Sequence, residues 1–295
     1  MFKKILLATS GAPSTFGAAR VAFDMAKRYG AEVLVFNVMG VPTKAFSQEV
    51  NDVRTGEKIE IDDEYQSWVE EELKSTFEKQ IESVEFSKII TTTGVPHREI
   101  LRAARAEDVD LIVMGASSGD SSAYRKGYPG STLQKVAKAA RCPVMTVHRE
   151  TASYWGGFSN IVFATDFSKQ AENAFKFALA SAKELNADLT VLHALDISGK
   201  LLDQNAIEDK LIETRSRIRS SYDFGDFKNY DVEVWEGVPY VEIVKMARER
   251  SADLIVMAHH SHELDPEKAR IGSTMEQVIL RAGCPVVSVS KPDKV

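Results

Sequence analysis

The sequence predicts an α/β protein made of two similar domains. Each is a five-stranded parallel sheet with helices on both faces, and the two pack together as a pseudo-dimer. Two observations predict the fold class: short, wholly apolar runs alternate with segments of helical spacing, which is the pattern of strands buried on both faces of a parallel sheet. A third predicts the duplication. Lys3-Lys-Ile-Leu-Leu-Ala-Thr-Ser10 has a counterpart in Ser159-Asn-Ile-Val-Phe-Ala-Thr-Asp166, and Gly94-Val-Pro96 returns as Gly237-Val-Pro239. Asp110-Leu-Ile-Val-Met-Gly115 returns as Asp253-Leu-Ile-Val-Met-Ala258, Gly130-Ser-Thr132 as Gly272-Ser-Thr274, and Cys142-Pro-Val144 as Cys284-Pro-Val286. The order is kept, so this is a duplicated domain and not a short solenoid unit. The expected domains are residues 1–149 and 158–295, joined by a short linker containing Gly156-Gly157.

The elements follow in order. Ile5–Ala8 reads as the first strand. Thr15–Tyr29 reads as a helix, with Ala18, Val21, Ala22, Met25 and Ala26 on one face and Gly30 as its left-handed cap. Glu32–Met39 is a second strand, and the polar, mixed stretch Val41–Asp63 reads as a long loop. Glu64–Val84 is expected to be one helix, with Trp68, Leu73, Phe77 and Ile81 inward. Phe86–Thr91 is a third strand. Pro96 opens a helix through Ala106, since proline suits a first turn. Leu111–Met114, a Gly/Ser-rich loop Gly115–Pro129, a helix from Ser131 to about Ala140 and a strand Val144–His148 complete the first half. Strands near Ile161–Ala164, Leu189–Leu195, Asp231–Trp235, Leu254–Met257 and Val286–Val289 repeat the scheme. The apolar last strands, Val144–Val147 and Val286–Val289, are expected to pair with each other, since exposed strand edges are a liability.

Composition narrows the function. The 295 residues carry 37 Lys+Arg against 43 Asp+Glu, a net charge of −6, which argues against general nucleic-acid or anionic-membrane binding. The N-terminal apolar run is too short for a signal peptide, and no stretch approaches the ~20 apolar residues of a membrane span. Cys142 and Cys284 read as small buried apolar residues, which suits a reduced cytoplasm.

In an open parallel sheet, ligands sit beyond the carboxyl ends of the strands, where strand order reverses. The turn after strand one, the end of strand two and the loop after strand four should meet there. In the first half that loop runs from Gly115 through Gly119, Arg125 and Lys126 to Gly130-Ser131-Thr132 at a helix start. Glycines admit a ligand close to backbone, and a helix start offers unpaired N–H groups to phosphate. The plainer reading is a capped helix after a flexible turn. His259-His-Ser-His262 has metal-like residue types, but a metal needs three or four converging ligands, and a solvated polar loop is the plainer reading here too. There is no Gly-x-Ser-x-Gly elbow and no Walker A loop.

The whole pattern resembles the universal stress protein family, specifically its tandem two-domain members, over about residues 2–149 and 158–291. The resemblance implies a cytoplasmic, stress-related role and, in a subset of members, binding of ATP or AMP. That subset shows Gly-x2-Gly-x9-Gly-[Ser/Thr] after strand four. Here the first half has Gly115-x3-Gly119-x10-Gly130-Ser131, and the second keeps only Gly272-Ser273 of the cradle. The family's acidic residue after strand one is Asp166 in the second half and Ser10 in the first. The strand-two position facing adenine is Val38 or Ala194. The nucleotide pocket implied is thus Ala8, Ser10, Val38, Met114, Gly115, Gly119, Arg125, Gly130, Ser131 and Thr132, with Asp166, Gly272 and Ser273 as second-half counterparts.

The expected function is a binding and signalling protein regulated by adenine nucleotide in the first half, without a resident metal. The alternatives are a slow ATPase or phosphotransferase on the same pocket, or a ligand-free interaction protein. Beyond the intrachain pseudo-dimer, a further homodimer and unidentified protein partners are open. In the second half, Ala258, His259, His260 and Ser261 are expected to fill the space a triphosphate would use, leaving room for a small or metallic ligand.

Overall fold

A computed structural model describes residues 2–40, 49–51, 58–60, 63–116, 130–148, 157–197, 203–259 and 272–289. The first half contains β1 (Lys4–Ala8), α1 (Phe16–Tyr29), β2 (Glu32–Gly40), β3 (Glu49–Asn51), β4 (Lys58–Glu60), α2 (Asp63–Thr76) and α3 (Glu78–Glu82). It continues with β5 (Ser87–Gly94), α4 (Pro96–Ala106), β6 (Leu111–Gly115), α5 (Ser131–Ala139) and β7 (Val144–Val147). The second half contains β8 (Asn160–Ala164), α6 (Lys169–Leu185), β9 (Asp188–Leu195), α7 (Gln204–Ser221) and β10 (Tyr230–Glu236). It ends with α8 (Pro239–Glu249), β11 (Leu254–Ala258), α9 (Ser273–Arg281) and β12 (Val286–Val289).

Ten strands form one sheet in the order β10-β9-β8-β11-β12-β7-β6-β1-β2-β5. Every neighbouring pair is parallel except β12 and β7, which run antiparallel with Val287 opposite Met145. The expected pairing of the last strands is therefore present, and it joins the two five-stranded halves into one sheet. In each half the chain order reverses beside the first strand, between β1 and β6 and between β8 and β11.

Both sheet faces are apolar, as alternation along β1 shows. Ile5 and Leu7 enter the core under α1, α2, α6 and α7, while Leu6 and Ala8 enter the core under α4, α5, α8 and α9. Each core runs through both halves. On the first face, Phe2 stands 6.2 Å from Phe177 across the joint.

The repeated motifs now have structural reasons. Asp110 accepts from the backbone N–H groups of Lys3 and Lys4, and Asp253 from those of Ser159 and Asn160, tying the start of the fourth strand to that of the first. Pro143 and Pro285 carbonyls accept from Ile112 and Ile255. Gly94 and Gly237 hold φ of 150° and 146°, and a Cβ at either would lie within 3 Å of Glu99 or Glu242. Only glycine fits there. Asp253→Ala removes the buried carboxylate that two part-buried backbone N–H groups share, so thermal denaturation should show a loss of about 1–3 kcal/mol; an unchanged midpoint would refute this role.

Four sequence expectations are corrected. The Glu64–Val84 helix breaks at Phe77, whose ring is buried, to give α2 and α3. Trp68 is not inward: it is 43% exposed and stacks on Tyr65, because α2 covers the edge strand β5 on one side only. The stretch read as a loop contains the antiparallel ladder β3–β4. The strand expected to begin at Phe86 begins at Ser87. Cys142 and Cys284 are both buried and unbridged, and burial pushes the Cys284 thiol up to about 12.

Candidate functional site

Each half holds a cavity at the carboxyl ends of its strands, beside the reversal of strand order. In the first half, about 200 Å³ is enclosed by Ala8, Thr9 and Ser10 after β1, Phe36 and Val38 on β2, and Met114, Gly115 and Ala116 after β6. Pro96 and Ile100 on α4 and Gly130, Thr132 and Leu133 at the start of α5 close it. Of the residues the sequence singles out, Ala8, Ser10, Val38, Met114, Gly115, Gly130 and Thr132 thus share one cavity. Ser131 opens α5 but is exposed and is not in the lining. Gly119 and Arg125 lie outside the described residues.

The α5 start is built to leave donors open. Gly130 donates to the Ala116 carbonyl at 2.9 Å and accepts from Gln134, and no side chain caps the helix. Among the described residues, the N–H groups of Ser131, Thr132 and Leu133 therefore remain available, at the positive end of the helix dipole. The turn after β1 is fixed by Thr9, whose hydroxyl pairs with that of Thr15 at 2.8 Å and accepts from Gly11 N–H at 3.0 Å.

The second-half cavity is larger, about 350 Å³. Its lining includes the predicted Asp166, Gly272 and Ser273, with Ala194, Ala258, Thr274, Pro239 and Ile243. The cavity is open beside Ala258, one of the four residues expected to fill it. The His259 ring is buried (3% exposed) and absent from the lining, while its backbone N–H donates to the Val289 carbonyl. His260, Ser261 and His262 lie outside the described residues. No group of three or more His, Cys, Asp or Glu among the described residues is placed to hold a metal.

Sequence reasoning missed the α4 and α8 walls. Their signal was the repeated Gly-Val-Pro, since Pro96 and Pro239 stand at equivalent places in the two cavities. It also missed His193. The His193 ring donates from Nδ1 to the Thr165 carbonyl at 2.8 Å, as Asn37 does from Nδ2 to the Thr9 carbonyl at 2.9 Å in the first half.

A sequence model described as "Universal stress protein family" matches residues 1–148 and again residues 157–290. The chain belongs to the universal stress protein family. A universal stress protein of Methanocaldococcus jannaschii is 32% identical over 146 residues, covering 46% of this chain and 85% of that one. One from Thermus aquaticus is 34% identical over 158 residues, covering 50% of this chain and 99% of that one. Each therefore corresponds to about one half of this universal stress protein. The crystal structure of a universal stress protein from Archaeoglobus fulgidus covers 99% of this chain and 97% of its own, with TM-score 0.70 at 21% identity. The tandem arrangement of two such folds is thus shared over the full length. Among the described residues, no helix is long and apolar enough to cross a membrane.

Proposed function

We propose that this universal stress protein is a non-catalytic binding protein of the cytoplasm whose first-half cavity takes an adenine nucleotide, AMP or ATP. The observation that carries the reading is convergence. Three separate segments, Ala8–Ser10, Val38 and Met114–Ala116, meet the open start of α5 around one cavity where strand order reverses. Phe36, Val38, Ile100, Met114 and Leu133 offer apolar walls to a base, Ser10 and Thr132 offer hydroxyls, and the α5 N–H groups suit a phosphate. Binding changes the surface shown to partners. The proposed domains are residues 1–149, which hold this site, and 158–295.

Thermal denaturation with and without ATP tests this. A hundredfold excess over Kd adds about 2.7 kcal/mol to the folded state. Gly130→Val should abolish that gain by filling the approach to the α5 N–H groups. Its ligand-free midpoint should stay near the parent's, because Gly130 sits at φ −56°, ψ 142°, which valine adopts readily. Equal ATP stabilisation in both chains overturns the proposal. Phosphate release above a buffer blank would instead favour the enzyme.

A further inference from the structure

Among the differences between the two cavities, one places an imidazole in the second. Asn37 and His193 occupy equivalent places and make the same bond, to the carbonyl of the threonine after the first strand of each half. Asn37 is not in the lining of its cavity, whereas His193 is. A carbonyl only accepts, so His193 Nδ1 carries the proton of the neutral ring. Nε2 is then a lone-pair acceptor and the ring's one other polar atom. No described residue engages it.

The ring is held firmly. It stands 4.8 Å from the Phe167 ring, which carries the Arg217 guanidinium 4.1 Å from its centroid. Phe167 sits at φ 59°, where the first half has Gly11 at φ 72°. A phenylalanine there stores backbone strain, and such strain gathers at functional positions.

We infer that His193 determines what the second-half cavity selects: Nε2 of the neutral imidazole accepts a hydrogen bond from an amino or N–H group on a planar heterocycle seated against Leu192, Ala194 and Met257. This rests on the reading of the first-half cavity as an adenine-nucleotide site and carries its base-binding part, without the triphosphate, to the second half. The second cavity is then proton-sensitive and the first, with Asn37, is not. Protonation turns Nε2 into a cationic donor, which rejects a donor group.

The groups acting on His193 favour the neutral form. Burial lowers its pKa most, and Arg217 from α7 lowers it further. The Thr165 carbonyl and Asp166, from the turn after β8, oppose them. The Tyr222 hydroxyl pairs with Thr165, and Glu172 of α6 acts on Tyr222. On the β10 side the register partner of His193 is the apolar Val234, and α8 presents Pro239 and Ile243 to the cavity.

Two probes test this by calorimetry in the Gly130→Val chain, where the first cavity is blocked: adenosine, and purine riboside, which lacks the amino group. Adenosine affinity should be flat above about pH 6.5 and fall by about tenfold per pH unit once His193 titrates. Purine riboside should bind at least about tenfold more weakly at neutral pH, without that dependence. His193→Asn, which copies the first-half arrangement, should make adenosine weak and pH-flat. Independently of any variant at His193, adenosine should shift the imidazole ¹⁵N resonance of Nε2 and leave that of Nδ1 nearly unmoved. A pH-flat adenosine curve with His193 intact, the same pH dependence in His193→Asn, or an unmoved Nε2 resonance overturns the inference. So does ATP stabilising the unmodified chain while adenosine fails to bind the Gly130→Val chain. Failure of both nucleotide and nucleoside to bind either chain overturns the reading beneath it.

Discussion

Val287→Asp should abolish folding of the whole chain, not of the second half alone. Val287 is fully buried in β12, opposite Met145 of β7, at the antiparallel seam in the middle of the ten-stranded sheet. A carboxylate there has no cation to pair with among its core neighbours, and burying an unpaired polar or charged group in a packed core takes a large share of the roughly 5–15 kcal/mol by which domains are stable. The core on that face takes Met145 and Val147 from one half and Val287 and Val289 from the other. Far-ultraviolet circular dichroism of the variant should show loss of signal well beyond half. A folded first half melting at the parent's temperature would show that the seam does not couple the halves.

Phe163→Ala should lower stability by about 3–5 kcal/mol, the range for a buried phenylalanine. Phe163 is fully buried on β8 and stands 5.7 Å from Phe175 and 5.5 Å from Tyr222, edge-on to the latter. Phe224 extends the same cluster through Phe175. The cavity left by alanine has rigid aromatic walls, so collapse recovers little of the loss. Because the core is continuous, the expected denaturant curve is one transition displaced to lower midpoint. A second transition split from an unmoved first would contradict that continuity.

The inner strands were legible in the sequence because each is an apolar run with no polar face, whereas the edge strands β5 and β10 carry polar residues along their length. The duplication was legible because the same residue types recur in order. What stayed hidden depended on where each element lies in the sheet. Trp68 and Phe86 look like core residues by type, yet they belong to the edge at β5, where one side has no neighbour, and both are largely exposed. The break at Phe77 was hidden because the helical spacing of apolar residues continues across it.

At the site, strand-end and glycine positions were readable from the repeat, but the state of the second cavity was not. His259 looks like a plug by volume, and only the fold shows it buried outside the cavity lining. His193 gave a single signal, its alignment with Asn37. That pairing has meaning only once both side chains are seen to reach the carbonyl of an equivalent threonine. The role of Gly94 and Gly237 likewise needed backbone angles, since the glutamates that exclude a Cβ stand five residues further along the chain.

Isothermal titration of ATP into the parent chain and into Gly130→Val and Asp166→Ala tests the central claim most directly. The proposed function predicts binding at the first-half cavity that is lost in Gly130→Val and retained in Asp166→Ala, because Gly130 lines the first cavity and Asp166 the second. Binding lost in Asp166→Ala but kept in Gly130→Val would place the nucleotide in the second half and contradict the account.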